Sequence, residues 1–338
     1  IVLVDHLPEA VVEVGRALEA GWDEASVQLL MAETLFRQGY FQRVLDEIQV
    51  KHEYPGAVRA DLYGLRAAAL SGLGKREDAE ASIKSGETIS ADALWLQLTK
   101  VRMAGLGKDL KAANQLLEPA LKMYPGSKDL WLLRAGLAEE NKDLAAAKIA
   151  LQKVIDLEPA YNITVQGRQA RLALAHILVE QKEDAGAQAI IEPILKLYPG
   201  DPLANYLAAL IAFKLEKFEQ AEEHLAAVLK VMPEHHKGLL LAGTLDFARR
   251  DYQQSVYYLE KVTALWPGDV GAQALLGRAY LMLKQYDEAE RRLQFASSQV
   301  TDNAELLALV GLSRLRGGDT QAGIHGLEAA VAAAPGDN

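Results

Sequence analysis

The chain has 338 residues, 50% of them hydrophobic and 24% charged, with a formal net charge of −10. That balance excludes a disordered chain. The acidic sign excludes a broad nucleic-acid footprint, because no Lys/Arg cluster supplies a local one. Cysteine is absent, which removes disulfides, thiolate metal sites and a cysteine nucleophile.

The first predicted element lies within residues 1–24. Ala10, Val14 and Ala17 fit the second helix of a helix pair, so this segment reads either as a truncated repeat or as a capping helix. The chain starts at Ile1 and ends at Asn338, just past a repeat boundary; an array that begins further upstream is the expectation. From residue 25 a regular pattern takes over. Prolines fall at Pro125, Pro159, Pro199, Pro233, Pro267 and Pro335, with gaps of 34, 40, 34, 34 and 68. Each gap is a multiple of 34 apart from one insertion of six, and Thr301 takes the slot between Pro267 and Pro335. Three further columns keep the same register when proline is set at position 32. Position 8 includes Ala67, Ala135, Ala175, Gly243 and Gly277; position 20 includes Ala79, Ala113, Ala147, Ala187 and Ala221; position 24 includes Ile83, Leu117, Leu151, Leu225 and Leu293. Small residues in two columns beside a large apolar third predict two helices in close approach.

A 34-residue unit with these columns resembles the tetratricopeptide repeat, a helix-turn-helix. The register predicts nine units at 25–58, 60–93, 94–127, 128–161, 168–201, 202–235, 236–269, 270–303 and 304–337. The fold expected is therefore all-α: a right-handed superhelix of antiparallel helix pairs over 25–337. One pair cannot bury its own apolar face, so stacked neighbours complete the core. Glycine and small polar residues are expected to stop the first helix in several of the turns, such as 72–75 and 316–319. Tyr-Pro-Gly and Trp-Pro-Gly triplets separate the units.

Two features depart from the pattern. Pro119 and Pro193 sit at position 26, inside second helices, and are expected to remove a hydrogen bond and bend or break them. The six-residue insertion near 162–167 (Asn-Ile-Thr-Val-Gln-Gly) either lengthens the link between units or extends the next helix. Its Asn162-Ile163-Thr164 matches the glycosylation triplet, which we read as chance.

By the repeat resemblance, positions 2, 5, 9, 12 and 13 line the inner face. In the middle units this selects Tyr206, Leu210, Phe213, Lys214, Lys237, Leu240, Phe247 and Arg278 as candidate partner-binding residues, alongside His176, Val179, Leu203, Thr244, Leu281 and Met282. Tyr206, Phe213 and Phe247 read either as an exposed apolar platform for a peptide or partner helix, or as ordinary packing between helices. The lysine- and asparagine-rich clamp of the known tail-binding repeats is not matched: position 5 carries leucine, tyrosine or alanine, and position 9 carries no asparagine.

Nothing in the sequence points to catalysis, a metal or a cofactor. His235 and His236 are adjacent, so on a helix they diverge, and they do not form a His-Glu-x-x-His pair; capping or surface roles are expected. Glu222, Glu223 and His224 read as a solvated outer face. No Gly-rich phosphate loop or serine nucleophile elbow is present. No apolar run approaches the 18 residues of a membrane span, and no signal peptide is visible.

The run from Ile191 to Leu293 resembles, more specifically, the tetratricopeptide lipoprotein that accompanies exosortase and PEP-CTERM protein-sorting systems. Residues 198–209 (YPGDPLANYLAA), 235–245 (HHKGLLLAGTL), 29–40 (LLMAETLFRQGY) and 44–48 (VLDEI) carry the similarity. This resemblance implies a non-catalytic scaffold for exopolysaccharide assembly or export. It would be exported to the periplasm or outer membrane and lipid-anchored in its full-length form, with a protein, a peptide or envelope polysaccharide machinery as its partner. A lipid-bearing cysteine would be expected near the mature start, and this chain has none. A cytoplasmic adaptor for a peptide or regulator, and a carbohydrate-binding solenoid, remain the alternatives.

Overall fold

The 34-residue register appears as a succession of paired helices in the computed structural model, which describes residues 16–17, 20–159, 162–300 and 303–334. The chain divides into two compact units, residues 1–173 and 174–338.

The first unit holds α1 (Glu24–Arg37), α2 (Phe41–Glu47), α3 (Gly56–Gly72), α4 (Arg76–Ser90), α5 (Leu94–Leu106), α6 (Leu110–Met123), α7 (Lys128–Glu140) and α8 (Leu144–Asp156). Helix α9 (Val165–Glu180) crosses the boundary between the units. The second unit continues with α10 (Asp184–Leu197), α11 (Pro202–Lys214), α12 (Phe218–Val231), α13 (His236–Ala248), α14 (Tyr252–Leu265), α15 (Val270–Met282), α16 (Tyr286–Gln299), α17 (Ala304–Gly317) and α18 (Thr320–Ala333). Among the described residues there is no strand. The 18 helices form nine antiparallel pairs, as the tetratricopeptide pattern requires.

Within each unit, first helices pack on their own partners and on the next first helix, as α3 does on α4 and α5. In the first unit Leu35, Leu62, Leu65, Leu98, Leu117 and Leu130 are fully buried in one continuous core. Each such side chain contributes roughly 1.5–3 kcal/mol of burial. In the second unit the close approach predicted from the small-residue columns is met. A Cβ on Gly243 would lie 2.7 Å from Leu259 Cγ, and one on Gly277 would lie 2.6 Å from Leu293 Cγ. Position 8 thus touches position 24, and any side chain there would force the pair apart.

The turns within pairs meet the expectation at Gly39, Gly74 and Gly318 and extend it to non-glycine residues. Position 15 adopts a left-handed backbone in all nine: Gly39, Gly74, Lys108 and Lys142 in the first unit, then Lys182, Glu216, Arg250, Lys284 and Gly318. Only three of these are glycine; the rest are long charged residues. The conformation is imposed by the hydrogen bonds that end the first helix. After Lys142, for example, Asp143 N–H donates to Ala138 O at 2.8 Å. A side chain held left-handed costs roughly 1–2 kcal/mol, partly offset by the extra unfolded-state freedom of a glycine. Arg250→Gly, at an exposed residue with φ +64°, is therefore expected to stabilise the protein by about 0.5–1 kcal/mol. A rise in the denaturant midpoint checks this; a fall would refute the strain argument.

A second recurring device was invisible in the sequence. The residue at position 4 reaches back to the carbonyl at position 32 of the preceding repeat. Gln97 donates to Ala91 O at 2.7 Å and Trp131 to Pro125 O at 2.9 Å. In the second unit Asn205 donates to Pro199 O at 2.8 Å and Gln273 to Pro267 O at 3.0 Å. These bonds satisfy carbonyls that the proline turn leaves without a helical donor.

Neither helix-interior proline breaks its helix, which removes that half of the expectation: α6 and α10 run through Pro119 and Pro193. The carbonyls that lose a donor belong to Gln115 and Ala189, both exposed, where water replaces the bond. The insertion is divided between the two readings offered for it. Asn162–Thr164 form an extended link, and Val165–Gly167 become the first turn of α9. Of the expected amino-terminal element, Ala17 is buried against Val27 and Met31; Ala10 and Val14 lie outside the described residues, as do Thr301 and Pro335.

Candidate functional site

In the second unit the predicted contact residues take several kinds of environment. Tyr206 and Leu210 of α11 are half-buried, as is Phe213, and all three flank a core of Ala209, Leu225 and Leu245. Tyr206 stands edge-on to His235 at 5.3 Å, Phe213 lies 6.1 Å from Phe218, and Phe247 stands edge-on to Tyr252 at 5.4 Å. Each ring therefore finds its aromatic partner across a turn or in its own pair, and these three rings do not stack on one another. Burial raises the Tyr206 hydroxyl above its ordinary pKa. Lys214 is anchored, donating to Val179 O at 2.6 Å with Asp184 Oδ1 at 3.6 Å. It thereby places a cation on the carboxyl-terminal turn of α9. Arg278 pairs with Glu305, Lys237 is exposed, and Leu240 flanks two core clusters.

The histidines act structurally. His235 caps α13, its Nδ1 accepting from Gly238 N–H at 3.0 Å. His236 Nε2 meets Asp269 Oδ2 at 2.8 Å. Glu222 and Glu223 are exposed as expected, but His224 is half-buried, with its Nδ1 2.9 Å from Asn205 Oδ1. That bond orients the amide that holds the Pro199 turn. His224 also edges an open cleft floored by Ile191, Ala208 and Ile211, on a different face of α11 from Tyr206 and Phe213.

The first unit holds a denser polar site that the sequence reading passed over. Trp95, 2% exposed, is its centre. Trp95 Nε1 donates to Glu33 Oε1 at 2.7 Å, and its backbone N–H donates to Asp61 Oδ1 at 2.8 Å. Ala93 precedes α5 and offers no side-chain cap, so Asp61 caps that helix from the preceding repeat. Arg37 makes a two-pronged bond to Asp129, at 2.9 and 2.7 Å, bridging 92 residues of sequence. With its amide oxygen turned inward, Gln166 accepts from the same guanidinium at 3.0 Å. Arg102 lies over Phe36 at 5.2 Å and over Trp95 at 5.7 Å.

The charges here are strongly perturbed. Burial pushes Asp61 up to about 6, against its hydrogen bond from Trp95 and helped by Glu33. Burial also raises Glu33, although Trp95 and Arg37 pull the other way. For Asp129, burial is outweighed by the hydrogen bonds and charge of Arg37, and it stays below the usual carboxylate range. Burial lowers Arg102. These residues occupy positions 2, 9, 12 and 13 of the early repeats. The same columns that selected the second-unit candidates would have found them had they been followed back to residue 25.

Among the described residues, no group of three or more His, Asp or Glu side chains is placed to hold a metal ion. No described helix is long and apolar enough to cross a membrane.

Comparison with known proteins agrees with this architecture. One tetratricopeptide-repeat family model matches residues 246–312, and a second matches 107–162, 172–235 and 206–270. Together they cover more than half of the chain. Cellulose synthase operon protein C of Pseudomonas fluorescens is 32% identical over 92 residues, which is 27% of this chain and 7% of that protein. A TPR repeat-containing protein of Pseudomonas aeruginosa is 29% identical over 144 residues, 42% of this chain and 23% of that one. The chain thus spans less than a quarter of either relative. Pseudomonas aeruginosa pilF superposes with a TM-score of 0.57 at 17% identity, covering 65% of this chain and 97% of that one. A tetratricopeptide repeat protein from Parabacteroides merdae gives 0.52 at 18% identity, covering 70% and 92%. At such identities the two structures speak to the fold alone. The helix pairs, their close-contact columns and the matched repeats agree: the chain belongs to the tetratricopeptide-repeat family.

Proposed function

We propose that this scaffold holds an extended segment of a partner protein against its first helices, in the service of exopolysaccharide assembly or export linked to PEP-CTERM protein sorting. The observation that carries the binding reading is the set of aromatic and basic side chains on those helices, among them the half-buried Tyr206 and Phe213 beside the exposed Lys214. Such a set combines apolar area with oriented charge, which suits a peptide main chain and its side chains. The polysaccharide setting is supported by the resemblance of residues 191–293 to the exosortase-associated lipoprotein, and by the cellulose synthase operon relative. The lipoprotein resemblance favours an exported protein at the periplasm or outer membrane.

The test is genetic and biochemical together. Deleting the gene should abolish polysaccharide secretion, and restoring the intact gene should recover it, with the product in the envelope fraction. Unchanged secretion, or a product confined to the cytoplasm, would sink the proposal. For the surface, Tyr206→Ala and Phe213→Ala should each weaken peptide capture and leave glycan binding unmoved.

A further inference from the structure

We infer that the first unit carries a carboxylate-binding site centred on Arg102, fitted to an acidic side chain of an extended partner peptide. The inference rests on the peptide-holding reading and assigns the partner's chemistry at a second place.

Arg102 sits at position 9 of its repeat, half-buried on α5. Its guanidinium lies over Phe36 and Trp95 at 5.2 and 5.7 Å. Among the described residues it makes no hydrogen bond and no ion pair. The neighbouring acceptors are already engaged: Arg37 takes both oxygens of Asp129, and Glu33 receives the Trp95 indole N–H. Asp129 acts on Arg102 only through its charge. Arg37 supplies an internal comparison, because it lies over the same Trp95 ring at 5.6 Å and is neutralised by a two-pronged carboxylate. Arg102 occupies a like setting without its carboxylate.

A half-buried guanidinium with no protein acceptor is free to take one from a ligand, and its planar fork fits a carboxylate through two parallel hydrogen bonds. Half-buried Phe36, 5.6 Å from the buried Trp95 ring and nearly perpendicular to it, offers apolar surface beside the guanidinium for the stem of a Glu or Asp side chain. The surrounding charge sets the class of ligand. Asp129 acts on Arg102 through its charge, so a doubly charged phosphate is opposed more strongly there than a singly charged carboxylate.

The test uses three pools of fluorescent heptapeptides with uncharged residues at the variable positions. The first is capped at both ends with a central Glu, the second is capped with a central Gln, and the third has a central Gln and a free carboxyl terminus. Binding to the intact chain and to Arg102→Gln is read by polarisation, with thermal unfolding in parallel. The intact chain is expected to prefer the Glu pool by about tenfold or more, the scale of a charge-assisted hydrogen bond. Arg102→Gln should lose that preference while remaining folded, since the cation it removes has ring contacts but no hydrogen bond or ion pair among the described residues. Equal binding of the two capped pools would overturn the Arg102 site and leave the peptide-holding reading standing. A preference that survives in a folded Arg102→Gln, or binding confined to the free-carboxyl pool, would also overturn the site. No binding to any pool would overturn both readings.

Discussion

Replacing Glu158 with alanine is expected to lower the stability of the first unit by about 3 kcal/mol. The Glu158 side chain is 3% exposed and ties the inserted link to its surroundings. It accepts from Thr164 N–H at 2.7 Å and Thr164 Oγ1 at 2.6 Å, pairs with Lys128, and has Arg171 at 3.7 Å. Removing it leaves two poorly exposed cations facing each other and unties Thr164, whose hydroxyl caps Gly167 N–H at 3.2 Å. Burial works against the Glu158 charge, but the bonds from Lys128 and Thr164 outweigh it and hold the group below the ordinary glutamate value. The sign follows: this stability is present above the unfolded glutamate pKa near 4.5 and is lost as pH falls through the lower folded value. Equilibrium unfolding at pH 7 and pH 3 should therefore show a large difference between parent and variant at pH 7 and a small one at pH 3. Gly167 provides an independent check, since its Cα faces the Glu158 carboxylate with no room for a Cβ. Gly167→Ala should destabilise the parent yet become neutral or mildly stabilising in the Glu158→Ala background, where alanine regains its helix preference. Additive effects of the two changes would refute the coupling.

Asp61→Asn is expected to do the opposite, stabilising the protein by about 1–3 kcal/mol at pH 8. The amide oxygen can still accept from Trp95 N–H, so α5 keeps its cap, while the charge that burial opposes is gone. Loss of the favourable helix-end charge draws the gain toward the lower part of that range. Because the folded pKa is raised to about 6 from 3.8, the parent's contribution is complete below pH 3.8 and is lost as pH rises through about 6. The advantage of the variant should accordingly be near zero at pH 3.5, grow between pH 4 and pH 6, and level off above. A pH-independent difference in unfolding temperature would show that Asp61 acts through the bond alone.

The helix pairs were legible in the sequence because their causes are local and repeated. Position 8 must be small where it meets Leu259 or Leu293, so Gly243 and Gly277 announce the contact in their two units. The turns were legible only in part. A left-handed residue at position 15 is demanded by the hydrogen bonds that end each first helix, so lysine or arginine is forced into it as readily as glycine. The prolines misled for a related reason: Pro119 and Pro193 remove bonds whose carbonyls face water, and the helix continues.

The candidate site divides in the same way. Position columns selected Tyr206, Phe213, Lys214 and Arg278, yet the side chains they meet could not be read from a column. His235, Phe218, the Val179 carbonyl and Glu305 become neighbours only when adjacent helices pack. In the first unit the separation is larger still, with Arg37 reaching Asp129 over 92 residues and Asp61 capping a helix of the next repeat.

By itself, the sequence determined the all-helical class, the 34-residue unit and the contact columns that hold each pair together, since apolar and small side chains act through their own helix and its nearest neighbour. Only the tertiary structure decided which charges are neutralised and which are left over. Burial and pairing of a polar group depend on how successive repeats bring distant side chains into one place. That is why Arg37 has its carboxylate and Arg102, over the same tryptophan ring, does not.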